Sequence, residues 1–140
     1  MGLEDQIQRV ADEIEVRNVL TRIAQLADDG SLDEYMSLYT DDAVWDAGAE
    51  LGVKRGHAEI LAGAETRRRR GTAGPGTHKR HVLTTTSVRL EGARAHARSY
   101  FLFYVDCDKT PRVEVVGVYQ DELHRTPAGW KLAQRRIGQG

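Results

Sequence analysis

The spacing of the apolar residues in this 140-residue chain changes near its middle. In the first half they recur every three or four residues, the period of an amphipathic helix, and in the second half they alternate with polar residues, the period of a strand. The helical spacing covers residues 5–27, 32–39 and 57–70, and the strand pattern covers residues 78–90, 93–106, 112–124 and 129–137. Because the helices come first and the strands follow as a meander, the sequence predicts an α+β fold with helices on one face of a curved antiparallel sheet.

Local signals predict where the first elements end. The first helix, whose spacing is interrupted once around Asn18, is expected to end at residues 28–30 with Gly30 in the left-handed conformation. Ser31 and Glu34 form the capping box of a second helix. The segments 43–45 and 51–54 then predict a hairpin.

A glycine-rich break and a balanced charge complete the outline of the chain. Residues 71–76 contain three glycines and one proline, which predicts a mobile loop at the surface or near a cavity mouth. Twenty basic and 21 acidic residues give a formal charge of -1, so binding to nucleic acid is not expected. The length suits one domain, residues 1–140.

The chain shows no signal for a membrane or an oxidising compartment. No apolar run approaches the length of a membrane span, and the acidic, polar N-terminus lacks the pattern of a signal peptide. The single cysteine, Cys107, cannot form an internal disulfide. The expectation is a cytoplasmic protein without a membrane partner.

Two residues stand out as candidates for chemistry. Asp28 places a carboxylate at the C-terminal end of a helix, where it opposes the helix dipole unless a nearby cation balances it. From spacing alone, a solvated Asp beside Asp29 is the more common explanation. His81 lies on a predicted strand with Leu83 on its own face and Val88 on the other, so the pattern leaves its orientation open. A lone strand histidine is more often a core or surface residue than a catalytic one.

Other patterns carry weaker signals. There is no phosphate-binding glycine loop, zinc-spaced Cys/His set or nucleophile elbow, so neither a metal nor a cofactor is predicted. The arginines at 67–70 could bind an anion or RNA, but a helix C-terminus also favours such charge and no aromatic residue is interleaved. Four aromatic residues could line a ligand cavity or belong to the plain core: Trp45, Phe101, Phe103 and Tyr119.

The order of short motifs along the chain resembles the SnoaL-like branch of the nuclear transport factor 2-like (NTF2-like) superfamily. The matching segments are Leu26-Ala27-Asp28, residues 39–45, 56–60, 81–84, 117–123 and 129–132, and finally Arg135-Arg136. Together they span nearly the whole chain. The resemblance implies a cone-shaped α+β fold in which three helices from the N-terminal half pack on a strongly curved, mostly antiparallel sheet.

Within that superfamily the chain is similar to lyases of the scytalone dehydratase and hexachlorocyclohexane dehydrochlorinase type, which carry an aspartate–histidine pair in a pocket. By position, the resemblance implies that Asp28 and His81 form this catalytic pair and that Trp45 lines the pocket. It also implies a pocket arginine at Arg135, although strand parity would place Arg136 on the face of Trp130, so the choice between the two arginines stays open.

The chain also departs from both enzymes. Ile23 stands where the dehydrochlorinase has a lysine, and no tyrosine lies near Ala27 or Ala47 to match those of scytalone dehydratase. The resemblance therefore implies neither specific substrate.

The combined prediction is a cofactor-independent lyase of the dehydratase type, or an isomerase, acting on a small, largely apolar or polycyclic molecule. His81 would be the general base and Asp28 would fix its tautomer, within a wall of Trp45, Phe101, Phe103 and Tyr119. The alternative is a non-catalytic module of the same fold, either a ligand carrier or a protein similar to the small subunit of ring-hydroxylating dioxygenases.

The sequence also predicts a homo-oligomer, a dimer or a trimer. The outer face of the strand at 93–106 carries Arg98, Tyr100, Leu102 and Tyr104, a mixture typical of protein interfaces.

Overall fold

The computed structural model describes residues 1–139, and within them it contains four helices and six strands. The helices are α1 (Leu3–Asp29), α2 (Leu32–Ser37), α3 (Gly48–Leu51) and α4 (Gly56–Arg70), and the strands are β1 (Tyr39–Asp46), β2 (Val53–Arg55), β3 (Arg80–Glu91), β4 (Arg94–Val105), β5 (Arg112–Thr126) and β6 (Gly129–Gly138). The predicted α+β order is confirmed, and α1, α2 and α4 are the three predicted helices.

One sheet joins all six strands in the order β2-β1-β6-β5-β4-β3. Neighbouring strands are antiparallel except β1 and β6, which run parallel. Helix α1 packs on β3 and β6, and α4 packs on β1. The core between these layers contains Leu20, Ile23, Ile60, Leu123 and Leu132 at 2% exposure or less.

The first strands differ from the predicted hairpin. Strand β1 begins at Tyr39, because a parallel pairing of Tyr39 with Leu132 of β6 extends it backwards beyond the expected residues 43–45. Leu51, predicted to be in a strand, belongs to the short helix α3, and β2 begins only at Val53. The partner strand is more than 80 residues away in sequence, so local patterns could not reveal this pairing.

The end of α1 also differs from expectation. Gly30 is extended, with φ -103° and ψ -177°, and is not left-handed. A side chain there would clash with Leu26, so the position needs glycine for space. Arg68 of α4 caps this helix end, since its Nη2 donates to the carbonyl oxygens of Leu26 at 2.9 Å and Gly30 at 2.8 Å.

Helix α1 carries apolar residues on two opposite faces, which corrects the single stripe predicted for residues 5–27. Leu3, Ile7, Val10 and Ile14 are 58–71% exposed, whereas Val16, Val19, Leu20 and Ile23 are at most 6% exposed. At about 100° per residue, the two sets point roughly 160° apart around the helix axis. The interruption of the apolar spacing near Asn18 lies just after the residues where the apolar face changes.

Among the described residues, no helix combines the length and apolarity that crossing a bilayer requires.

Candidate active site

A cavity of about 520 Å³ opens between the sheet and the helices. Its volume lies within the range of small-molecule sites. The wall includes every residue predicted to contact substrate, together with the candidate base: Trp45, Phe101, Phe103, Tyr119, Arg135 and His81. Thr72 and Ala73 contribute from the glycine-rich loop, so this segment lies at the cavity as predicted.

Asp28 and His81 contact each other at the cavity, and His81 forms part of its wall. Asp28 is the penultimate residue of α1, and its Oδ1 lies 2.7 Å from Nδ1 of His81 near the start of β3. The backbone N–H of His81 also donates to both carboxylate oxygens, at 3.1 and 2.9 Å. The side chain of Asp28 is 5% exposed and that of His81 is 20% exposed. The carboxylate at the helix end is thus held by two N–H donors.

This geometry defines the tautomer of the neutral imidazole. An ionised carboxylate only accepts hydrogen bonds, so Nδ1 of His81 must carry the proton and Nε2 must carry the lone pair. Nε2 forms no hydrogen bond with another described residue. Phe103 packs beside the ring, with the two ring centres 4.5 Å apart. The arrangement can present a proton acceptor to a molecule in the cavity.

A β-bulge turns His81 inward. Leu83 pairs with Phe101 and Thr85 with the adjacent Tyr100, so Thr84 is an extra residue in β3. The bulge reverses the alternation, and as a result His81 and Leu83 share the inner face with Val88. Strict alternation would place Thr85 on the face of His81, but the bulge puts it on the opposite face. The strand sequence shows apolar residues on both faces because the bulge moves the inward-facing positions from odd to even residue numbers.

A second bulge decides between the two arginines of β6. Glu122 pairs with Gln134 and Leu123 with Leu132, which leaves Ala133 as an extra residue. Arg135 consequently shares the inner face with Leu132 and lines the cavity, whereas Arg136 is exposed. Simple strand parity, which favoured Arg136, fails at this bulge.

Arg135 is a buried charge with a matched partner. Its Nε and Nη2 donate to the two carboxylate oxygens of Asp121 at 2.8 and 2.9 Å. Burial lowers the pKa of Arg135, but the charge and hydrogen bonds of Asp121 outweigh that effect and raise it above its ordinary value. The third nitrogen, Nη1, has no hydrogen-bond partner among the described residues. Arg135 therefore stays charged and keeps one donor group for a molecule in the cavity.

Tyr119 lies between Arg135 and Phe101. The guanidinium carbon of Arg135 is 3.7 Å from the centre of the Tyr119 ring, and the Phe101 ring stacks on it at 4.1 Å. Burial raises the pKa of Tyr119 to about 12, despite the opposing charge of Arg135. The phenol therefore keeps its proton near neutral pH and can donate a hydrogen bond.

Several site residues were missed from the sequence. Asp121 lies on the same face of its strand as Tyr119 and Leu123. An acidic residue on an apolar face needs a cationic partner, so the sequence pattern could have indicated a buried ion pair at Asp121. Tyr35 also lines the cavity, and its hydroxyl accepts a 2.8 Å hydrogen bond from Tyr39. Its own proton is thus free for another acceptor.

The arginines at the end of α4 also belong to the site, although the sequence pattern was equally typical of an ordinary helix C-terminus. Arg67, Arg68 and Arg70 all line the cavity, and the guanidinium carbon of Arg67 lies 5.0 Å from the centre of the Trp45 ring.

No cluster of three or more histidine, cysteine, aspartate or glutamate side chains suited to a metal occurs within residues 1–139.

The chain is similar to a known domain family and to solved structures. The family model of the SnoaL-like domain matches residues 8–136. An NTF2-like protein with a cystatin-like fold from Novosphingobium aromaticivorans is 26% identical, with a TM-score of 0.84 over 96% of this chain and 86% of that one. No curated protein sequence matches.

Two further structures carry names that refer to activities. A proposed aromatic ring hydroxylase from Novosphingobium aromaticivorans is 26% identical, with a TM-score of 0.77 over 92% of this chain and 89% of that one. A proposed scytalone dehydratase from the same species is 14% identical, with a TM-score of 0.73 over 94% and 86% of the two chains, which shows likeness of fold alone.

Proposed function

This chain belongs to the SnoaL-like domain family of NTF2-like fold, and from this premise we propose that it is a cofactor-independent lyase of the dehydratase type, or an isomerase. Its substrate is a small, largely apolar or polycyclic molecule. The observation that carries the proposal is the 2.7 Å contact between Asp28 and Nδ1 of His81, which leaves Nε2 as the acceptor in an apolar cavity.

In the elimination, Nε2 of His81 takes a proton from a carbon next to an electron-withdrawing group such as a carbonyl. The electron pair of that C–H bond forms the new double bond, and the bond to a hydroxyl group on the next carbon breaks. The imidazolium returns its proton to the departing hydroxyl, which leaves as water, so His81 is regenerated. In an isomerisation the same proton returns to another carbon.

Asp28 supports this chemistry without taking the proton itself. It holds the ring in the tautomer with a free Nε2 and stabilises the imidazolium that forms during the reaction. The nearby walls are apolar, which strengthens this electrostatic interaction because little water screens it.

The remaining polar groups of the wall orient the substrate. The Tyr119 hydroxyl, which keeps its proton, and the free Nη1 of Arg135 are suitable donors for a carbonyl oxygen that gains negative charge. Trp45, Phe101 and Phe103 supply the apolar contacts.

The experiment is a screen of β-hydroxy ketones on aromatic and polycyclic frameworks in D₂O, followed by ¹H NMR. The protein should catalyse loss of water or exchange of the proton next to the carbonyl. His81→Ala should lower that rate by roughly 100-fold or more, the usual contribution of a general base. His96→Ala on the outer face of β4 is the matched control and should leave the rate unchanged. Equal rates for the wild type and His81→Ala would refute the proposal.

The second candidate is a non-catalytic module that binds ligand or joins an oxygenase. The solved structure named as a proposed aromatic ring hydroxylase supports an aromatic ligand for such a module, while its name gives no support to the absence of catalysis. Such a module would bind members of the same screen without elimination or proton exchange, so the NMR measurement separates the two functions.

A further inference from the structure

The cavity wall concentrates positive charge in a nearly neutral chain. Four arginines line it, Arg67, Arg68, Arg70 and Arg135, whereas Glu114 is the one acidic residue among the described wall residues. The whole chain has 20 basic and 21 acidic residues, so this excess is local.

Two of the four arginines already have partners. Arg68 donates to the carbonyl oxygens that end α1, and Arg135 is paired with Asp121. Arg67 and Arg70 form no salt bridge with a carboxylate of the described residues. Both belong to the last turn of α4, next to the glycine-rich loop that also contributes to the cavity wall.

Arg67 is also held in place. Its guanidinium carbon lies 5.0 Å from the centre of the Trp45 ring, a cation–π contact that fixes the charge against the apolar wall. An arginine in this setting presents a planar set of N–H donors suited to a carboxylate. The exposed Glu114 supplies one opposing negative charge, which leaves the two unpaired arginines in excess.

We infer that the ligand of this cavity is an amphiphilic acid, with an apolar ring system against Trp45 and an anionic group, most simply a carboxylate, bound by Arg67 with Arg70 beside it. The inference rests on the proposed function only in taking this cavity as the substrate site. It adds a specificity determinant separate from Asp28 and His81.

Two fluorescent probes of one ring framework test the inference. 1-Anilinonaphthalene-8-sulfonate carries an anionic group, and N-phenyl-1-naphthylamine is the same framework without it. The wild type should bind the anionic probe at least about tenfold more tightly, as expected for a charge-assisted hydrogen bond. Arg67→Gln should abolish this preference while the affinity for the neutral probe, which reports an intact apolar wall, stays the same.

Arg69→Gln is the matched control, because Arg69 belongs to the same run but donates to Thr66 and is exposed. It should keep the preference for the anionic probe. Equal affinity of the wild type for both probes, or equal weakening of both by Arg67→Gln, would overturn the inference. The probe titrations need no turnover, so a failure of the proposed catalysis in the NMR screen would leave this result standing.

Discussion

Three aspartates are buried among residues 1–139, and each is held by donors from another helix or strand. Asp12 receives hydrogen bonds from Trp130 and Arg125, Asp28 from His81, and Asp121 from Arg135. A buried carboxylate without such partners would be strongly destabilising. These contacts therefore fix the positions of helix α1 and strands β3, β5 and β6 at the same time as they arrange the candidate site.

Removal of one member of the buried pair in the cavity wall should be costly. In Asp121→Asn the charge of Arg135 stays buried without its counterion, so the free energy of unfolding should fall by about 3–5 kcal/mol in urea denaturation. Asp106→Asn is the matched control, because it breaks an exposed pair with Arg112 that should contribute no more than about 1 kcal/mol. Equal losses in the two variants would show that Asp121 is not needed to compensate Arg135.

Asp12 should make stability depend on pH in the acidic range. Burial raises its pKa, but hydrogen bonds from Trp130 and Gln8 and the charge of Arg125 outweigh burial and lower it below the ordinary 3.8. A carboxyl group with a lowered pKa in the folded state stabilises above its unfolded pKa, and that contribution disappears as the pH falls through the folded pKa.

The comparison with Asp12→Asn isolates this effect. The wild type should exceed the variant in free energy of unfolding at neutral pH, and the difference should shrink as the pH falls below about 4. Urea denaturation of both proteins across this range measures it. A difference that is constant with pH would contradict the assignment.

At the scale of single elements, the sequence identified the strands but could not show which way their site residues point. The bulges at Thr84 and Ala133 each reverse the alternation, and both lie within four residues of a cavity residue, His81 or Arg135. A bulge is defined by the pairing of two strands, so it cannot be located from the sequence of one strand. That sequence shows only apolar residues that fail to stay on a single face. The family resemblance supplied the positions of the site residues that periodicity left open.

The two faces of α1 should differ sharply in their contribution to stability. Ile23 is 1% exposed, so Ile23→Ala should cost about 2–5 kcal/mol through lost burial and a cavity. Ile14 is 58% exposed, and Ile14→Ala should change the free energy of unfolding by no more than about 0.5 kcal/mol. Chemical denaturation of the two variants gives the comparison. A large loss in Ile14→Ala would show that this face is covered.

For the whole molecule, the two faces of the sheet have different surroundings. The inner face of β3, β4 and β5 meets the helices and forms the cavity, whereas the outer face carries an apolar row across three strands. Leu102 of β4 lies in this row between Val82 of β3 and Val116 of β5, and Val116 is 60% exposed. Apolar residues on an outer sheet face favour an interface, which supports the proposal of a homo-oligomer.

Val116→Lys should weaken that assembly by placing a charge in the row. Light scattering at micromolar concentrations should give a dimer or trimer mass for the wild type and a shift towards the monomer for the variant. Glu50→Lys, an exposed change on α3, is the control and should not alter the mass. A monomer mass for the wild type at these concentrations would rule out the proposed assembly.

The central claim is that Asp28 holds the proton of neutral His81 on Nδ1 and leaves Nε2 free to act as the base. Long-range ¹H–¹⁵N NMR of the imidazole measures the tautomer directly, without a substrate. In the neutral form, wild-type His81 should show the Nδ1–H tautomer, and Asp28→Asn should lose this preference because the amide can also donate to the ring. Finding the Nε2–H tautomer in the wild type would contradict the account, since the nitrogen assigned to accept the substrate proton would already carry one.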